Sequence, residues 1–149
     1  MRDEFINEIK FNEGFSSKIY ECSVGKDTIG YGFKVDCLSS DEIALNGGKV
    51  EPMPKENADK ILNLKLKKLE KEAFEVFDWL ENAPLKVQEC VIEMCYQMGI
   101  PGVKKFNHTL HYMRTAQYQK AYENGLKSLW AKQTPKRAKR VLGKLLADL

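Results

Sequence analysis

The hydrophobic pattern divides the chain into a short front part of mixed periodicity and a longer remainder with a helical repeat. Residues 3–11 place Phe5, Ile6 and Ile9 on one side of a helix. Asn12-Glu13-Gly14 follows as its stop, since glycine readily takes the left-handed conformation that closes helices. Residues 18–22 and 28–33 read as two short strands around Ser23-Val24-Gly25-Lys26, a hairpin. Residues 34–54 are rich in turn signals, including Asn46-Gly47-Gly48 and Pro52-Met53-Pro54, with room for short strands or a small helix near residues 40–45. From Lys55 the period lengthens: Ile61, Leu62, Leu66, Leu69, Ala73, Phe74 and Phe77 recur at steps of three and four, and Pro54 suits the start. A second helix begins near Pro84 with a stripe of Val87, Val91, Met94, Cys95 and Met98, and Gly99 with Pro101 should end it. Shorter helices are predicted over residues 106–114, over 116–129 and after Pro135, the last turning Ala138, Val141, Leu142 and Leu145 inward. The predicted class is α+β, mostly α, with a small β-containing lobe ahead of a helical one.

Composition narrows the class further. The 149 residues fit one domain with a real core, and 43% hydrophobic with 30% charged residues describes a globular chain. No apolar run nears the roughly 20 residues of a membrane span, so stable membrane insertion is not expected. The opening MRDEFINEIK carries acids and no apolar stretch, which argues against a secretory signal. Net charge is only +3, but Lys132, Lys136, Arg137, Lys139, Arg140 and Lys144 gather near the end against the single late acid Asp148. Such a helix can attract nucleic acid, anionic lipid or an acidic polymer, although a solvated face is its commoner meaning. Without a helix-turn-helix or an aromatic RNA surface, a nucleic-acid partner is not expected.

Four cysteines lack C-x-x-C spacing and only His108 and His111 are present, so neither a metal nor a cofactor is expected. Cys90 and Cys95, five apart on a helix, should face different ways, while a link between Cys22 and Cys37 stays open for an oxidising compartment. Gly25-Lys26 does not make a phosphate loop, because Tyr20 stands where its first glycine should be and Asp27 where Ser or Thr should follow.

The candidates for chemistry sit around the hairpin. Glu13 lies at a helix C-terminus, where the partial negative charge disfavours a carboxylate; it is either an exposed acid with no task or one kept protonated by that field and by burial. Cys22 and Thr28 flank the turn and could face one cleft, with Glu21 and Asp27 on the opposite face by strand alternation. The plain alternative is a small buried thiol and an ordinary strand threonine.

The spacing Glu13, eight residues, Cys22, five residues, Thr28 matches E-x8-(D/C)-x5-T, the signature of T4-type phage lysozymes, glycoside hydrolase family 24. KIYECSVGKDTIGYGF resembles that family's K-x-Y-x-D-x-x-G-x-x-T-I-G-x-G-H hairpin. Tyr96-Gln97-Met98-Gly99 resembles its (F/Y)-(Q/N)-x-G block, and Trp130 with Gln133-Thr134-Pro135 through Arg140 resembles its W-x-x-Q-T-P-x-R-A-K-R ending. The blocks keep the family's order over nearly the whole chain.

The resemblance implies a muramidase that cleaves the β-1,4 bond between N-acetylmuramic acid and N-acetylglucosamine and so lyses a host cell. It implies a single two-lobed lysozyme-like domain: a β-containing lobe over 13–54, a connecting helix over 55–80, and a helical lobe of 81–149 with 1–12. Glu13 becomes the general acid, Cys22 and Thr28 act on the water or nucleophile side, and Arg137 supports the acid. Tyr96, Gln97, Thr109 and Asn124 bind substrate. The hairpin glycines would bend tightly and lie close to a sugar chain. Cys22 replaces the more familiar Asp, and an unperturbed thiol is mostly neutral at pH 7. It could serve as a base, as a covalent nucleophile, or only shape the site while Thr28 holds water. Phe33 stands where the family usually has His, which leaves a catalytically impaired, wall-binding homologue as the alternative. A monomer made in a host cytoplasm, released to the peptidoglycan by a holin and encoded by a phage or prophage, completes the expectation.

Overall fold

The computed structural model describes residues 3–147; Asp148, the late acid of the basic segment, lies outside them. The chain forms two compact units that divide after Lys67.

The first unit opens with helix α1 (Asp3–Glu13), which buries Phe5 and Ile9. It stops where Gly14 turns to a φ of +71° and its N–H reaches back to the Lys10 carbonyl. A three-stranded antiparallel sheet follows, β1 (Ser16–Glu21), β2 (Asp27–Gly30) and β3 (Phe33–Lys34), in that spatial order. Tyr20 pairs with Thr28 and Glu21 with Asp27 across β1 and β2, while Thr28 pairs with Lys34 across β2 and β3. The single strand expected over 28–33 is therefore two strands. Gly30 and Gly32 both hold positive φ, which no extended run sustains, so the chain reverses at Tyr31-Gly32.

The free edge of β1 is covered: the Ser17 carbonyl accepts from the Met53 N–H at 2.8 Å, and the Ile19 N–H donates to the Glu51 carboxylate at 2.6 Å. Helix α2 (Ser40–Ala44) appears where a small helix was one of the options, started by a reciprocal capping box between Ser39 and Glu42. Asn46 then ties the turn-rich segment together, donating to the carbonyls of Lys49, Val50 and Pro52 and accepting from Asn57.

Helix α3 (Lys55–Val76) begins in the first unit and ends in the second, close to the bounds that its apolar spacing predicts. Its early part buries Ala58, Ile61, Leu62 and Leu66, and the first unit also buries Ile29, Tyr31, Phe33 and Met53.

The second unit is helical. The range α4 (Leu85–Lys104) holds two helical pieces: the first ends at Gly99, as the sequence suggests, where φ is +78° and ψ +156°, and a short second piece follows with Pro101 in its first turn. Helix α5 (Asn107–Arg114) follows. The helix expected over 116–129 is split into α6 (Tyr118–Gly125) and α7 (Leu129–Gln133). Ala116 at φ +59° delays the start of the first, and the Ser128 side chain accepts from the Ala131 N–H to cap the second. Helix α8 (Pro135–Gly143) turns Ala138, Val141 and Leu142 into a core that includes Val91, Met94, Met113, Ala121 and Trp130. Among the described residues, no helix is long and apolar enough to cross a membrane.

Candidate active site

Three of the residues singled out in the sequence, Glu13, Cys22 and Thr28, lie in the first unit. Glu13 is the last residue of α1 and is half-buried. Its carboxyl lies against the backbone of Gly32, where a Cβ would fall inside it. The β2–β3 turn that carries Gly32 is itself anchored: Tyr31 Oη donates to Asp59 of α3 at 2.6 Å, and Lys10 of α1 pairs with the same carboxylate at 3.1 Å. Burial works to raise the Asp59 pKa, but the hydrogen bonds from Tyr31 and Lys10 hold it below its usual value. Burial first, and Asp59 second, push the Tyr31 hydroxyl well above its ordinary range, so it remains a donor. This network ties α1, the turn and α3 into one frame around Glu13.

The space beside two hairpin glycines is occupied by protein. A side chain at Gly30 would come within 2.6 Å of the Phe33 ring, just as one at Gly32 would meet Glu13. These two glycines admit the chain's own side chains, where the sequence suggested close approach to a sugar.

Cys22 lies just past β1 at the mouth of the turn, partly exposed, with its N–H bonded to the Lys26 carbonyl at 2.9 Å. The Thr28 hydroxyl donates to that same carbonyl, also at 2.9 Å, and Thr28 is only 2% exposed. The Cys22 pKa falls from 9.0 to about 7. The Val24 amide contributes most and the Lys26 amide next; partial burial opposes them, and Lys34 and Thr28 add smaller effects in the same direction as the amides. A thiol so placed is about half ionised at neutral pH, in contrast to the neutral group that its type alone suggests. Lys34, which the sequence reading passed over, has its Nζ 3.4 Å from Cys22 Sγ. The two thiols of α4 are unlike it: burial pushes Cys95 up to about 12 and Cys90 higher still, and all four cysteines are free.

Phe33, in the place usually held by His, is buried, with Tyr31 edge-on to its ring at 6.2 Å and the Lys65 ammonium 5.3 Å from its centroid. Lys65 also pairs with the buried Glu42 at 3.1 Å.

The remaining candidates lie in the second unit. Gln97 accepts from the indole N–H of Trp130 at 2.9 Å, and Phe106 meets that indole edge-on at 6.1 Å. Thr109 is 2% exposed and donates to Asn124 at 2.7 Å, so its hydroxyl acts through the amide beside it. Thr109, Asn124, Phe106, Trp130 and Gln133 line a groove of about 470 Å³ whose walls are mostly apolar. Tyr96 is half-buried on α4. Arg137 of α8 lies 3.6 Å from the carboxylate of Glu93, which is 1% exposed. Glu93 had no signal in the sequence beyond an acid inside an apolar stripe.

The profile of the phage lysozyme family matches residues 10–146. Over 54 residues the chain is 46% identical to the pre-baseplate central spike protein Gp5 of Enterobacteria phage T4, a stretch that is 36% of this chain and 9% of that protein. The family match takes in the acid of α1, the hairpin thiol and the C-terminal helices alike: the chain belongs to the phage lysozyme family.

Proposed function

We propose that the protein is a muramidase, hydrolysing the β-1,4 bond between N-acetylmuramic acid and N-acetylglucosamine in peptidoglycan, and that it works as an endolysin. One observation supports the assignment of roles: the unit that carries the half-buried Glu13 carboxyl, at the end of α1 against the β2–β3 turn, also carries a thiol with a lowered pKa and the Thr28 hydroxyl on the adjoining hairpin. Glu13 gives its proton to the glycosidic oxygen as the bond from that oxygen to the anomeric carbon breaks. Water attacks the anomeric carbon from the other side and passes a proton to the Cys22 thiolate, which also offsets the positive charge growing on the sugar. Thr28, whose own proton is engaged by the Lys26 carbonyl, accepts a hydrogen bond from that water. This route inverts the anomeric centre.

In the second unit, Tyr96 and Asn124 contact the glycan, with Gln97 and Thr109 acting through Trp130 and Asn124, and Arg137 keeps the supporting part that its motif implies. Release from a host cytoplasm through a holin fits a wall hydrolase of this family. Clearing of a purified peptidoglycan suspension tests the reading. The wild type should clear it and Glu13→Gln should not; clearing by the variant at the wild-type rate would overturn the role of Glu13. NMR of the first product should show the inverted anomer, and a retained one would overturn the base role of Cys22.

A second reading draws on Phe33. With its ring buried against Tyr31 and Lys65, the position offers no imidazole, as in a homologue that binds the wall without turnover. Sedimentation with peptidoglycan and no clearing is the result that favours it.

A further inference from the structure

We propose that Lys34 is a positioning residue that holds Cys22 as its thiolate. The register brings the two together. Lys34 on β3 stands across from Thr28 on β2, and Thr28 stands across from Tyr20 on β1, two residues before Cys22. Cross-strand partners share a face, and so do residues two apart, so all four side chains gather on one side of the sheet. There the ammonium donates to Sγ across 3.4 Å, within reach of a charge-assisted contact to sulfur.

The backbone amides of Val24 and Lys26 aim at the same atom from the turn. They are partial dipoles fixed by the hairpin, whereas Lys34 supplies a full positive charge. Of the other charged groups nearby, Lys26 is an exposed cation of the same turn that acts on the thiol through its backbone amide, and the rest are acids off this face. Glu21 and Asp27 are exposed, paired across the strands and on the reverse side by alternation, and Glu13 rests on Gly32. Lys34 falls just beyond the glycine-rich block, where no spacing rule marks it. The inference deepens the proposed function and rests on it only for the use made of the thiolate, which alone can take a proton from water.

Alkylation by iodoacetamide tests it on the full chain, with peptide mass mapping to separate Cys22 from the exposed Cys37. In Lys34→Met the midpoint of the Cys22 rate against pH should rise by about half a unit to one unit, slowing alkylation at neutral pH by roughly 2–5-fold. Lys34→Arg should restore most of the wild-type rate. Added salt should move the wild type toward the Met variant and leave that variant in place. An unchanged Cys37 rate, and a melting curve unchanged well below pH 7 where the Cys22 thiol is protonated in both proteins, show that the fold is kept. A Met variant with the wild-type midpoint overturns the proposal. Peptidoglycan clearing against pH is read in parallel: if alkylation shifts and clearing does not, the role of Lys34 stands and the part given to Cys22 in hydrolysis falls.

Discussion

The carboxyl of Glu13 occupies the space where any side chain at Gly32 would begin. A helix end and a strand turn thus fix one another, and Gly32 also holds a φ of +74° that L-residues rarely take. Gly32→Ala should therefore cost about 1–3 kcal/mol from strain and displacement together. Thermal melting reads the loss. Because the methyl displaces the acid itself, the clearing rate per folded molecule should fall as well.

The Cys22 thiol gives stability a specific pH signature. Its pKa is depressed in the folded state, from 9.0 to about 7, so the thiolate's contribution is fully present above pH 9.0 and is lost as pH falls through about 7. Wild type should therefore gain melting temperature relative to Cys22→Ser between neutral and alkaline pH, and the gap should be constant below about 7. Paired melts of the two proteins at matched pH check the sign.

Trp130 and Gln97 meet through a single part-buried hydrogen bond of 2.9 Å. Gln97→Leu leaves the indole N–H without that partner, at a cost of about 1–3 kcal/mol. Adding Trp130→Phe to Gln97→Leu removes the stranded donor and should recover part of the loss. A double-mutant cycle by chemical denaturation gives the comparison.

Thr109 is more deeply buried than that pair, and its hydroxyl holds the side chain of Asn124 at the groove. Thr109→Val keeps the shape and frees that side chain. KM for soluble peptidoglycan fragments should rise several-fold with kcat nearly unchanged, corresponding to the loss of about 1 kcal/mol of orientation. Steady-state kinetics separates the two parameters.

Much of the fold was legible because the helices write their burial at a regular period. Ile61, Leu62, Leu66 and Ala73 mark α3, and Val91 and Met94 mark α4, before any coordinate is known. Positive-φ glycines account for one error and one success: the strand expected over 28–33 broke at Gly32, and the helix expected to stop at Gly99 does so, although a short piece carrying Pro101 follows it unannounced. In the candidate site, Glu13, Cys22 and Thr28 were legible through the spacing of a family signature. Lys34 was not, since only cross-strand register brings residues twelve apart to one sulfur. Glu93 and the Tyr31–Asp59–Lys10 network escaped for the same reason: each is assembled from separate elements, and no single stretch announces it.

The covered margin of β1 carries one more implication. A peptide arriving to extend the sheet on that side would have to strip the Ser17 carbonyl from Met53 and the Ile19 amide from Glu51 before it gained a contact of its own. At those two positions, ribbon-like stacking of one molecule on the next is therefore disfavoured.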